Sequence, residues 1–109
     1  MNTQTIDWID RAATTLSLST DEVIFESIES LLEHRLLQLN SQVLALADKY
    51  NVKSVTEMEA RYQDGSLSEI GSWDDFQQLD HIEYDRDQVQ ELLAMLRATP
   101  RNHEEPALA

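Results

Sequence analysis

Cysteine is absent from this chain of 109 residues, and glycine and proline occur only twice each. Without cysteine the chain forms no disulfide, no thiolate zinc site and no iron-sulfur cluster, and it has no cysteine nucleophile. Pro100 and Pro106 lie in the last ten residues, and Gly65 and Gly71 lie in one central stretch, so little else interrupts a helix. No sustained alternation of apolar and polar residues predicts a sheet. We therefore predict an all-α fold.

Basic residues are also scarce. Eight lysines and arginines stand against 21 aspartates and glutamates, and the formal net charge is -13. The eight are scattered singly, whereas a nucleic-acid surface needs them clustered on one face. The electrostatic field of a chain with this net charge repels phosphate backbones and attracts positively charged surfaces. We expect a basic protein partner and no direct contact with nucleic acid.

Long apolar runs are missing as well, since no stretch approaches the roughly 18 residues of a membrane span. The segment MNTQTIDWID carries acids where a secretory signal would carry positive charge. We expect a cytoplasmic protein with no membrane partner.

Capping pairs and helical periodicity predict four helices. In each pair a serine is followed three residues later by an acid, the spacing at which both side chains cap free backbone N–H groups; the pairs are Ser19 with Glu22, Ser54 with Glu57, and Ser72 with Asp75. The predicted helices cover about 5–16, 19–50, 54–64 and 72–98. Residues 1–18 are interpreted as an N-terminal arm, 19–99 as the main domain and 100–109 as a disordered tail.

The two long helices each carry one apolar stripe, which they cannot leave in water. In the second helix it comprises Phe25, Ile28, Leu32, Leu36, Leu39, Val43, Leu46 and Tyr50. In the fourth it is a heptad seam of Leu79, Ile82, Arg86, Val89, Leu93 and Leu96. The stripes predict an antiparallel hairpin of two long helices, with a short connecting helix and a short N-terminal helix.

Motifs for catalysis or cofactor binding are not found. His34, His81 and His103 lie far apart, with no histidine pair at helical ligand spacing. No glycine-rich phosphate loop and no Gly-x-Ser-x-Gly motif occurs. We expect no metal, no cofactor, no catalytic residue and no enzymatic activity.

Acidic residues are concentrated in the last predicted helix and in the segment before it. Between Ser66 and Leu96 there are eight acidic residues and one basic residue, Arg86. The plain interpretation is a solvated face, but none of these eight acids has a basic residue four positions later. Arg86 lies on the apolar seam, so we expect a carboxylate from another helix or chain to meet it, with Glu29 or Glu33 as candidates.

Trp73 and Phe76 open the same helix and are most simply core residues, although a tryptophan beside acids also suits an interface anchor. The predicted partner-binding residues are Trp73, Asp74, Asp75, Phe76, Asp80, Glu83, Arg86, Asp87 and Glu91.

A family pattern follows from Tyr62 and four stretches, 47–54 (ADKYNVKS), 57–59 (EME), 65–67 (GSL) and 73–80 (WDDFQQLD). Together they resemble short, acidic, helical prokaryotic proteins that are commonly encoded beside small toxin-like genes and interpreted as antitoxins. The resemblance spans roughly residues 28–96 and implies a cytoplasmic antitoxin that wraps a basic toxin. This chain has Asn51 where those proteins usually have glycine.

Three functions are therefore open. The first is an antitoxin-like protein that neutralises a small basic toxin through its acidic helical surface. The second is a homo-oligomeric assembly module, a dimer for example, in which the stripe of residues 25–50 pairs with itself. The third is an acidic regulator that mimics nucleic acid.

Overall fold

The computed structural model describes residues 1–100, which form four α-helices. These are α1 (Thr3–Leu16), α2 (Thr20–Lys49), α3 (Val55–Gln63) and α4 (Trp73–Ala98). No strand occurs in this described part of the chain. The predicted tail, apart from Pro100, lies outside the described residues. None of the four helices combines the length and apolarity needed to span a bilayer.

The long helices α2 and α4 pack against each other in opposite directions. Lys49, the last residue of α2, binds Asp75 in the first turn of α4. Glu29 and Glu33, in the first half of α2, bind Arg97 in the last turn of α4. The predicted all-α hairpin with two additional short helices is confirmed.

Two of the three predicted capping pairs operate at helix starts. Ser19 and Glu22 cap each other's backbone N–H groups, both at 3.1 Å. The Ser54 hydroxyl accepts from the Glu57 N–H at 3.2 Å, but the Glu57 carboxylate accepts from Lys53 instead of Ser54. These bonds satisfy backbone donors that a helix start leaves free.

The predicted pair of Ser72 and Asp75 is wrong. Ser72 is buried, and its hydroxyl donates to the Ser68 carbonyl oxygen at 2.6 Å. Asp75 accepts from the Lys49 ammonium instead. Both side chains have tertiary or loop partners that compete with the local cap.

Asn51 turns the chain out of α2. Its φ of 55° is in the left-handed region, which glycine and asparagine adopt at the lowest cost. The Val52 N–H then bonds back to the Ala47 carbonyl at 3.0 Å, closing the helix end. Asparagine therefore suits this position, where a β-branched residue would be strained.

Contacts divide the chain into two compact units. Residues 34–92 form the central unit, whose core is a cluster of Leu39, Val43, Ala47, Val52, Met58, Leu79 and Ile82. Met58 and Leu79 are completely buried, so α3 and α4 each contribute a side chain that is worth about 1.5–3 kcal/mol of burial. The core residues of α2 recur at intervals of four, as one helix face requires.

Within the described part of the chain, the terminal unit comprises residues 1–33 and 93–100. Only Ala13, Val23 and Leu93 are buried in its described part. Arg97 contributes ion pairs to Glu29, at 2.9 Å, and to Glu33. Seven large apolar side chains of this unit are more than two-fifths exposed, namely Met1, Ile6, Trp8, Leu16, Ile28, Leu31 and Met95.

Candidate partner-binding site

Asp75, one of the predicted partner-binding residues, holds the start of α4 to the end of α2. Its carboxylate accepts from the Lys49 ammonium at 2.7 Å and from the Tyr50 hydroxyl. The hydrogen bond from Lys49, followed by the one from Tyr50, lowers the pKa of the Asp75 carboxyl. The same bond to Asp75, together with burial, raises the pKa of the Tyr50 phenol. The Asp75 carboxylate therefore has a structural role, because both of its partners belong to the same chain.

Glu83, also predicted to bind a partner, caps α3. Its carboxylate accepts from the Val55 N–H, the first backbone donor of that helix, at 2.7 Å. A carboxylate at a helix start also complements the positive end of the helix dipole. The Glu83 side chain is half-buried, and its carboxylate already has a partner within the chain.

Arg86 finds its carboxylates on its own helix. Its guanidinium donates to Asp87 at 3.0 Å and lies 4.0 Å from Glu83. No carboxylate of another helix meets it within residues 1–100, so that part of the expectation is wrong; the candidates Glu29 and Glu33 pair with Arg97. A carboxylate from another chain stays a prediction. The seam predicted the face of Arg86 correctly but not its rotamer, and the long side chain reaches out of the seam to neighbouring acids.

Several other acids have no hydrogen bond or ion pair from their carboxylates among residues 1–100. All of them are exposed; they are Glu59, Glu69, Asp74, Asp80 and Glu91. Asp74 lies in the first turn of α4, where the helix dipole favours a negative charge, so it has a structural explanation. The others have no such local reason. No three acidic or histidine side chains among residues 1–100 converge as a metal site would require.

One exposed face of α4 brings together four of the predicted residues and an additional tyrosine. Trp73, Asp80, Tyr84, Asp87 and Glu91 follow one another at intervals of 7, 4, 3 and 4, which aligns them on one side of a helix. All five are exposed, whereas Leu79 and Ile82 on the opposite side enter the core. We call these five residues the α4 acidic face.

Trp73 also belongs to an aromatic cluster that joins α3 to α4. Its indole stacks on Phe76, with ring centroids 5.0 Å apart and planes 20° apart. The Tyr62 ring meets Phe76 edge-on at 5.4 Å and Trp73 at 6.2 Å. A 2.6 Å hydrogen bond between the Tyr62 and Ser72 hydroxyls fixes the phenol. Such edge and stacked pairs hold rings in defined positions.

A cleft of about 300 Å³ opens beside these rings. Its walls are Tyr62, Trp73 and Phe76, and its polar lining is Glu59, Gln63 and Glu69. We call it the aromatic cleft. The sequence indicated Trp73 and Phe76 as a pair of anchors, but it did not indicate Tyr62, Glu59 or Glu69 as their neighbours.

Comparison with known families adds one finding. A family model described as uncharacterized protein MJ0235 family matches residues 1–101. The chain belongs to the MJ0235 family. The match covers all four helices, and so it includes the α4 acidic face and the aromatic cleft. No curated protein and no solved structure matches the chain.

Proposed function

We propose that this member of the MJ0235 family is a cytoplasmic antitoxin-like protein that binds and neutralises a small basic toxin. The observation that carries the proposal is the α4 acidic face, where Asp80, Asp87 and Glu91 alternate with exposed aromatic rings. Trp73 is 44% exposed and Tyr84 is 61% exposed, although both could bury a large apolar area. Aromatic side chains amid complementary charge are typical anchors of protein interfaces.

The net charge of the chain indicates that the expected partner is positively charged. The net charge of -13 attracts a cationic protein over long range and speeds its association. Asp80 and Glu91 have no cation of their own among residues 1–100, so a basic partner adds favourable contacts without breaking internal ones. We leave Asp75 and Glu83 out of the proposed interface, because their carboxylates bind Lys49 at the end of α2 and the Val55 N–H at the start of α3.

Coexpression with the product of the adjacent gene tests the proposal. We expect the two proteins to copurify and to bind with a measurable Kd in titration calorimetry. The variant Asp80→Asn/Asp87→Asn/Glu91→Gln removes three charges of the α4 acidic face and weakens binding about tenfold, at a few tenths of a kcal/mol to 1 kcal/mol per exposed charge.

The matched control is Asp10→Asn/Glu26→Gln/Asp48→Asn, which removes three exposed charges elsewhere. It should change Kd by less than about threefold, because it lowers only the long-range attraction. Failure of the adjacent product to bind the wild-type chain, or equal losses in the two triple variants, would contradict the proposal.

Homo-oligomeric assembly is a second candidate, favoured by a different feature of α2. Leu37 and Leu44 are 69% and 62% exposed and lie seven residues apart, on one face of the helix. Leu39 and Val43 of the predicted stripe are buried in the chain's own core, so a dimer would use the exposed pair instead. Analytical ultracentrifugation distinguishes the two hypotheses. Self-assembly is supported if the wild type is a tight dimer and Leu37→Gln/Leu44→Gln is a monomer.

A further inference from the structure

We propose that the aromatic cleft is a binding site for an arginine side chain, whose guanidinium stacks on the rings and donates to Glu59 and Glu69. The inference deepens the proposed function, on which it rests for the source of the arginine, a basic protein partner. The cleft itself is a feature of residues 59–76 within the central unit, so its chemistry is measurable without that partner.

The rings supply the first part of the site. Trp73 and Phe76 lie nearly parallel and Tyr62 closes against them, giving a rigid aromatic wall to the cleft of about 300 Å³. Ring faces carry negative electrostatic potential and attract cations, and tryptophan does so most strongly. The partly exposed indole therefore presents a surface that suits a cation better than an anion or a neutral polar group.

The carboxylates supply the second part. Glu59 and Glu69 both line the cleft, and neither carboxylate has an internal cation among residues 1–100. Arg61, two residues after Glu59, donates to the Tyr50 carbonyl at 2.8 Å, and Lys49 donates to Asp75, two residues after Trp73. Two uncompensated negative charges beside three rings therefore remain for an external cation.

The combination selects among cations. A guanidinium is planar, stacks on aromatic faces and has five N–H donors, which serve two carboxylates at once. A quaternary ammonium ion has no N–H donor, so it would leave both glutamates without hydrogen bonds when it displaces their water. A lysine ammonium donates but is compact and strongly hydrated, so it stacks poorly. Arginine alone uses both the rings and the acids.

The test is a titration of the full chain, labelled with ¹⁵N, with the blocked peptide acetyl-Gly-Arg-Gly-amide. We expect saturable shifts at the Trp73 indole N–H and at the backbone around Glu69 and Phe76, with a weak Kd, on the order of 1 mM. The isosteric citrulline peptide, which is uncharged, should give no saturable shifts there. The lysine peptide should bind at least about threefold more weakly than the arginine peptide.

Variants separate the cleft from general acidity. Glu59→Gln/Glu69→Gln should weaken the arginine peptide about fivefold. The control Glu26→Gln/Asp48→Asn has the same net charge and changes exposed residues that do not line the cleft, so its Kd should stay within about twofold of wild type. Because none of the four carboxylates has a partner among residues 1–100 that these changes would break, both variants should keep the wild-type circular dichroism spectrum.

Three results would overturn the arginine site. They are equal binding of the citrulline peptide, equal losses in the two double variants, and tighter binding of tetramethylammonium than of the arginine peptide. Failure of the adjacent gene product to bind leaves these peptide results unchanged, so it counts against the toxin proposal alone.

Discussion

The two units of the chain differ in how they are stabilised. The central unit encloses Met58 and Leu79 completely and joins its helices by hydrogen bonds such as Val55 to Glu83. The terminal unit buries only Ala13, Val23 and Leu93 among its described residues. Five of its large apolar side chains stay more than half exposed, namely Met1, Trp8, Leu16, Leu31 and Met95. One unit therefore stabilises itself by its core, and the other leaves much of its apolar surface uncovered.

This difference indicates which unit is the scaffold. A well-packed core holds side chains in defined positions, and the aromatic cleft and the α4 acidic face both lie on the central unit. The terminal unit has few buried contacts, so local opening costs less there.

The largest expected effect comes from truncating the central core. Met58→Ala removes a completely buried side chain and should lower the free energy of unfolding by about 2–5 kcal/mol. Val23→Ala, in the terminal unit, removes two methyl groups and should cost about 1.6 kcal/mol at most. Urea denaturation of both variants measures the contrast. Equal losses would mean that the two units contribute equally to stability.

Ser72→Ala is expected to have an intermediate effect, because it strips the Tyr62 hydroxyl of a buried partner. The loss of the 2.6 Å bond should destabilise the chain by about 1–3 kcal/mol and loosen the rings of the aromatic cleft. Near-ultraviolet circular dichroism should show a weaker aromatic signal. The matched control is Ser41→Ala on the exposed side of α2, which should leave that signal unchanged.

The smallest effect is expected at Asp75, and it depends on pH. Because its folded pKa is lowered, ionised Asp75 stabilises the chain above its unfolded pKa, about 3.9, and that contribution is lost as pH falls through the folded pKa. The Tm of Asp75→Asn should therefore lie below wild type at pH 7 and approach it in acid. Asp74→Asn, an exposed neighbour, is the control; a pH-independent Tm gap for Asp75→Asn would contradict the role of its charge.

The sequence predicted the helices well because their signals are local. Serine and acid pairs at Ser19 and Ser54 mark helix starts, and Asp64 with Gly65 ends α3 as expected. The pair at Ser72 failed because Asp75 has a stronger partner in Lys49, 26 residues earlier. A local sequence pattern does not indicate a partner so distant along the chain.

The candidate site was only partly predictable for the same reason. The intervals from Trp73 to Glu91 align residues on one helix face, and the sequence alone supplies them. The aromatic cleft needs the path of the loop between α3 and α4, which brings Tyr62 and Glu59 to Trp73. The partner of Arg86 was missed because helix periodicity defines a face and leaves the direction of a long side chain open.

The most direct test of the central claim, that the α4 acidic face binds a basic macromolecule, is the association rate of the adjacent gene product at increasing salt. We predict that the rate constant falls steeply between about 0.05 and 0.5 M salt, and that Asp80→Asn/Asp87→Asn/Glu91→Gln is slower and less sensitive to salt than wild type. A rate constant that is independent of salt, or identical in the wild type and the variant, would contradict the account.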